Sequence, residues 1–208
     1  EPKRKGMAAF QPDALTISRG QAWEDRRRFA VAVLDSDKPM HRLAQSFVDV
    51  AVETAKELAS EKIRRHNFNA AFQRMTRRVV FGNRAADDTR LTEILGEMLS
   101  AGNKMPGEPA PQYDEFISMI DGYLDAPEPG SLASLIPQAP TAPDVTPSGQ
   151  VIHWLFAMGD TLAANVFRAL GTLATHDEHR HEVGVEMANR DITSAAGIVS
   201  LEYLAGCL

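Results

Sequence analysis

The segment from Ser148 to about Thr175 limits the possible folds more than any other part of the sequence. Its first half reads Val151-Ile152-His153-Trp154-Leu155-Phe156-Ala157-Met158-Gly159, which puts apolar residues on every side of a helix. Such a helix belongs in the middle of a protein, surrounded by others, and Ser148 stands where it can cap the first turn. A membrane span is the rival reading. Against it, His153, Asp160, Asn165 and Arg168 interrupt the run at intervals that hydrocarbon penalises. No uninterrupted apolar stretch reaches the length a bilayer requires.

The rest of the chain supplies helices to surround it. From Pro39 to Arg65, Met40, Leu43, Phe47, Ala51, Ala55, Leu58 and Ile63 recur at the spacing of one helical face, with Asp37 as cap and Pro39 in the first turn. A second helix runs from about Asn67, with Phe68, Phe72, Met75 and Val79 on one side and Arg74, Arg77 and Arg78 on the other, and Gly82 is placed to end it. Amphipathic stretches follow over Thr89–Ala101 and Tyr113–Leu124. Nine of the 12 prolines fall between Met105 and Gly149, so loops and short helices should alternate there. No run alternates as a strand does. The expected class is mainly α, one domain over residues 1–208 with no separate second domain, around a long central buried helix 148–175.

Composition narrows the partners. A chain 44% hydrophobic and 24% charged is typical of a soluble globular protein. Its net charge of -6 argues against general affinity for nucleic acid or acidic membranes. One cysteine, Cys207, rules out an internal disulfide framework and fits a reducing compartment, so a cytoplasmic setting is expected. Glu178-His179-Arg180-His181 contains one Glu-x-x-His, where a carboxylate-bridged di-iron site needs two such motifs and two further glutamates, and reads as a solvated polar turn.

Chemistry enters at Ala157-Met158-Gly159-Asp160-Thr161. A carboxylate in a buried helix costs free energy unless it is paired or hydrogen-bonded, and a glycine beside it costs about 1 kcal/mol relative to alanine. Two readings are open. An acid next to a hydroxyl, flanked by small residues, suits proton delivery to a bound group. Alternatively, Asp160 pairs with an arginine of a neighbouring helix and Thr161 hydrogen-bonds to its own preceding turn. Nearer the start, Trp23-x-x-x-Arg27 places an indole and a guanidinium on one helical face, two donors able to hold a carboxylate.

These two motifs, in this order, resemble those of bacterial cytochromes P-450. Leu155 to Thr161, continuing through Arg168-Ala169-Leu170 to His176-Asp177-Glu178, is similar to the family's oxygen-activating helix I, with Met158 and Leu162 as departures from its usual residues. Trp23 and Arg27 match the family's helix C, and Leu201 to Leu208 resembles the start of helix K. The resemblance implies an incomplete P-450 fold, helices C to J and the start of K, extending over essentially all 208 residues.

What the resemblance implies for function is a haem-dependent monooxygenase, an enzyme that inserts one oxygen atom from O2 into a small apolar organic substrate. Haem b would be its cofactor, and a ferredoxin or flavoprotein its electron donor. Thr161 and Asp160 are then the catalytic residues, the hydroxyl passing protons and the acid linking it to water. Trp23 and Arg27 hold the haem propionates, and Ala157 leaves space over the ring. Arg26 and Arg28 point elsewhere, towards an acidic partner. The cysteine that ligates iron is expected beyond Leu208, so the chain alone is expected to be inactive, and Cys207 reads as a small buried hydrophobe. Phe10, Met105, Phe116, Ile152 and Phe156 are possible pocket residues. The alternative is an all-helical ligand-binding transcriptional regulator, for which Arg64-Arg65 and Arg74 to Arg78 are the only candidate DNA-reading clusters.

Overall fold

The chain folds as the periodicities demand in outline, and departs from them where side chains compete with the helical backbone. The structure is a computed structural model that describes residues 2–207; among these there are eleven α-helices and no strand. The first two are α1 (Pro2–Ala8) and α2 (Gly20–Leu34).

Helix α3 (Ala44–Ala59) is shorter than the 39–65 segment predicted. Asp37 does not cap it, because Asp35 organises the approach instead. The Asp35 carboxylate accepts from Lys38 Nζ at 2.8 Å, from the Arg42 backbone N–H at 2.8 Å and from Arg42 Nε at 2.9 Å. These bonds hold residues 35–42 in a turn. Helix α4 (Arg65–Phe81) begins slightly before Asn67, whose Oδ1 accepts from the Arg64 N–H at 2.7 Å and so closes its first turn. It ends at Gly82, as predicted, where φ is +100°. Helices α5 (Thr89–Gly102) and α6 (Tyr113–Leu124) match the amphipathic stretches. Between α6 and the long helix the proline-rich part holds a short 3₁₀ segment, Leu132–Gln138.

The long segment is three pieces on one axis: α7 (Pro147–Phe156), a π-helical turn (Ala157–Leu162) and α8 (Ala163–Thr175). Pro147, not Ser148, opens it, with φ preset for the first turn. Its first half is wrapped as expected, with Val151 and Ile152 fully buried. Phe29 of α2 stacks on Trp154, the ring centroids 6.3 Å apart. The expectation of burial along the whole of 148–175 is wrong beyond Phe156, where Asp160, Thr161, Leu162 and Leu170 are all exposed. Helix α4 covers one flank of this half, through Phe68 against Phe167 at 5.2 Å, while the described residues leave the opposite flank open.

The main core lies between Ala9 and Leu155, centred on Phe29, Phe81, Ile94, Met98 and Phe116. The remaining helices, α9 (Asp177–Ala188), α10 (Ala195–Val199) and α11 (Glu202–Cys207), attach largely by polar contacts. Glu186 accepts from the backbone N–H groups of Tyr203 and Leu204, and Gln45 of α3 bonds to both Thr193 and Ala195. No helix among the described residues is long and apolar enough to cross a membrane.

Candidate functional site

The widened turn coincides with the residues singled out for chemistry. Ala157, Asp160 and Thr161 all lie within the six-residue π segment. Such segments are rare, cost regular hydrogen bonding, and occur disproportionately at functional sites. A partner on α4 supports this one, because Gln73 Nε2 donates to the Gly159 carbonyl at 3.0 Å. Sequence reasoning missed Gln73, since it sits on a polar flank of α4 with nothing local to distinguish it.

Within the turn Gly159 is buried, Ala157 is half-buried, and Asp160 and Thr161 face outward. Asp160 borders two cavities. One, of about 390 Å³, lies between α1, α5 and the long helix and is lined by Lys3, Met7, Phe10, Leu99 and Phe156. The other, of about 300 Å³, is lined by Arg65, Asn69, Phe167 and Arg168. Phe10 and Phe156 meet across the first, their ring centroids 5.7 Å apart. Those two of the five possible pocket residues therefore do line a cavity. Phe116 and Ile152 are core residues with no exposure, and Met105 is an exposed residue of the following loop, at φ +53°.

Trp23 and Arg27 are both exposed on α2, the indole to 45%. The structure does not join them to the π turn by any hydrogen bond or ion pair among the described residues. Their helix meets the long helix one turn earlier, through Phe29 and Trp154. Arg26, expected to be available to a partner, is buried instead. Its Nε donates to the Asp144 carbonyl at 2.9 Å, its Nη1 to Ser18 Oγ at 2.6 Å and its Nη2 to Asp13 at 2.9 Å. It fastens the segment before α2 to the loop before α7. Arg28 is exposed and approaches Asp25 at 3.6 Å.

His153 carries a signal that sequence reasoning passed over. Its Nδ1 is buried with no hydrogen-bond partner, and burial, helped by the nearby Lys3 ammonium, pushes its pKa below the usual imidazole value. Cys207 is half-buried rather than buried and lines a third cavity with His176 and His179, away from the π turn. Of the two basic clusters, Arg64-Arg65 is exposed at the start of α4, while Arg74 to Arg78 is engaged within the chain. Arg74 pairs with Glu57 and Asp87, Arg78 pairs with Glu53, and Arg77 is buried against the Ala85 and Ala86 carbonyls. No protein-family model matches the chain, and no curated protein matches it.

For a haem the residues present offer an open flank on one helix and donors for carboxylates on another, which no hydrogen bond or ion pair among the described residues joins. A flat ring needs an uncovered flank bordered by small residues, and the half-buried Ala157 beside the exposed Thr161 provides one. The exposed indole and guanidinium of Trp23 and Arg27 are free to take carboxylates. An axial thiolate is not part of this set, since the one cysteine lies at another cavity.

Proposed function

We propose that this chain is the oxygen-activating and substrate-facing part of a haem-dependent monooxygenase of the cytochrome P-450 type, acting on a small organic molecule with an apolar body. The observation that carries the reading is the π turn. It breaks helical regularity at Ala157, Asp160 and Thr161, and of these Asp160 lines a cavity walled by Phe10 and Phe156. The apolar walls offer a substrate a dry contact surface, and the Asp160 carboxylate lies at the same groove, with Thr161 next to it in the chain.

Trp23 Nε1 and the Arg27 guanidinium would hold the haem propionates, the arginine through its planar fork. When bound, haem would supply the insertion of one atom of O2 into the substrate, the other atom leaving as water with two electrons from a ferredoxin or flavoprotein and two protons. The chain's own part is positioning and proton supply. Thr161 Oγ1 donates a proton at the exposed face, and Asp160, in contact with water, restores it. Ala157 keeps that face free of bulk. The iron's thiolate is not Cys207. A cytoplasmic setting belongs to the same reading.

Titrating the 208-residue chain with haemin tests this. Saturable binding should quench Trp23 fluorescence. Arg27→Ala should weaken binding about tenfold, the scale of one hydrogen bond to a charged group. Haemin uptake that is absent, or indifferent to both Arg27→Ala and Trp23→Phe, overturns the reading. A thiolate-type carbonyl spectrum from the loaded chain would instead make Cys207 the ligand.

A further inference from the structure

Asp160 also borders the second cavity, of about 300 Å³, to which the proposed function assigns nothing. Arg65 and Asn69 line it from the start of α4, and Asp160, Ala164, Phe167 and Arg168 line it from the π turn and α8. Arg65 and Asn69 stand four residues apart, as do Ala164 and Arg168, so each pair shares a helical face. Phe167 is firmly held, its ring 5.2 Å from that of Phe68, a residue 2% exposed. The groove thus joins a fixed apolar ring to the exposed side chains of Arg65, Asn69, Asp160 and Arg168.

Its guanidiniums are left unused by the chain. Two exposed arginines elsewhere pair with acids, Arg90 with Glu97 and Glu115, and Arg180 with Asp177. Arg65 makes no ion pair among the described residues, and the Arg168 guanidinium reaches Asn165 Oδ1 at a long 3.4 Å. Neither pairs with Asp160, although all three border the same groove. Guanidinium forks match the oxygens of phosphates and carboxylates, so two of them on one groove suit an oxyanion. With the Asn69 amide, three donor side chains line the groove, one for each terminal oxygen of a phosphate monoester, which carries a charge of about -1.5 to -2 at pH 7. A carboxylate brings fewer oxygens and less charge to the same donors.

From this arrangement we infer that the groove binds a small organic phosphate monoester, its phosphate on Arg65, Asn69 and Arg168 and its organic part against Phe167 and Ala164. Asp160 repels any second anionic group, so the organic part is uncharged or carries a hydroxyl or ammonium that the carboxylate accepts from. The same carboxylate, on a chain of net charge -6, disfavours an extended polyanion such as nucleic acid. The site shares Asp160 with the proposed monooxygenase but does not depend on it.

An NMR titration of the 208-residue chain, without haem, with phenyl phosphate, benzoate and inorganic phosphate reads the inference at the Asn69 side-chain amide resonance. Phenyl phosphate should shift it saturably and bind about tenfold tighter than either of the others, the scale of one charge-assisted bond. Arg65→Gln and Arg168→Gln should each weaken phenyl phosphate about tenfold. Arg64→Gln, which removes an exposed charge outside the groove, should change its affinity by less than about twofold. Asp160→Asn should tighten it by about threefold, because a like charge is gone. Thermal melts check that the variants are folded, as expected for exposed positions. No saturable shift at Asn69, equal affinities for the three compounds, equal effects of Arg64→Gln and Arg65→Gln, or displacement of phenyl phosphate by a lower concentration of a DNA oligonucleotide overturns the inference. The haemin titration turns on Trp23 and Arg27, so either reading fails without the other.

Discussion

Gln73 and Gly159 approach each other so closely that any side chain on residue 159 would have to displace the Gln73 amide. A Cβ on residue 159 would lie 2.5 Å from Gln73 Oε1, in the geometry that lets Gln73 Nε2 reach the Gly159 carbonyl. The glycine within the long helix thus has a packing reason, and α4 is clamped to the π turn through it. Gln73→Ala should lower stability by about 1 kcal/mol, one hydrogen bond's net contribution. Gly159→Ala in the native background gains about 1 kcal/mol of helix propensity but displaces Gln73. In the Gln73→Ala background the displacement is gone, so the same substitution should be stabilising. Urea denaturation of the four proteins decides it, and equal effects of Gly159→Ala in both backgrounds would show that the clamp is not real.

Asp160 and Thr161 are exposed, so neither supports the fold. Asp160→Asn and Thr161→Ala should each leave stability within about 0.5 kcal/mol of the parent, the usual range for surface positions. Thermal melts of the two variants provide the check. A loss of several kcal/mol would mean that these groups are paired inside the protein, which is the structural reading of the acid and hydroxyl and competes with proton transfer.

The sequence disclosed element type far better than it disclosed burial. Helices α5 and α6 and the Gly82 terminus follow from local periodicity and from the tolerance of glycine for positive φ, and both are properties of short windows. The open flank of α8 was not legible. An apolar residue such as Leu162 or Leu170 declares what it prefers, while coverage depends on which elements are adjacent. The three arginines of α4 make the same point. Arg74, Arg77 and Arg78 look alike in sequence, yet Arg77 turns inward to the carbonyls that follow Gly82, whereas Arg74 and Arg78 form pairs at the surface. Of the candidate site, Asp160 and Thr161 stand out in sequence as a polar interruption of an apolar run, and Ala157 only through the resemblance to helix I. Gln73 and His153 do not stand out, because Gln73 meets the Gly159 carbonyl 86 residues away and His153 is marked only by a ring nitrogen buried without a partner.

The Asp35 carboxylate gives the fold a specific acid sensitivity. Its side chain is 1% exposed and is held by Arg42 and Lys38, and those hydrogen bonds, Arg42's foremost, hold its pKa far below the ordinary carboxylate range. A group whose folded pKa is depressed contributes stability that is fully present above its unfolded pKa of about 3.9 and disappears as pH falls towards the folded value. Stability should therefore decline below about pH 5, and part of that decline should belong to this one residue. Asp35→Asn keeps the shape but removes the charge, so at pH 7 it should cost about 2 kcal/mol, within the range for hydrogen bonds to a charged group. Asp35→Gly would ease the backbone, which sits at φ +46°, yet should still destabilise, because the carboxylate and not the turn conformation orders residues 35–42. The measurement is urea denaturation of parent and Asp35→Asn from pH 7 down to pH 3. The two curves should approach each other below about pH 5, where Asp35 takes up a proton in the unfolded parent while the folded carboxylate stays ionised, and a difference that stays constant over that range would remove Asp35 as the source.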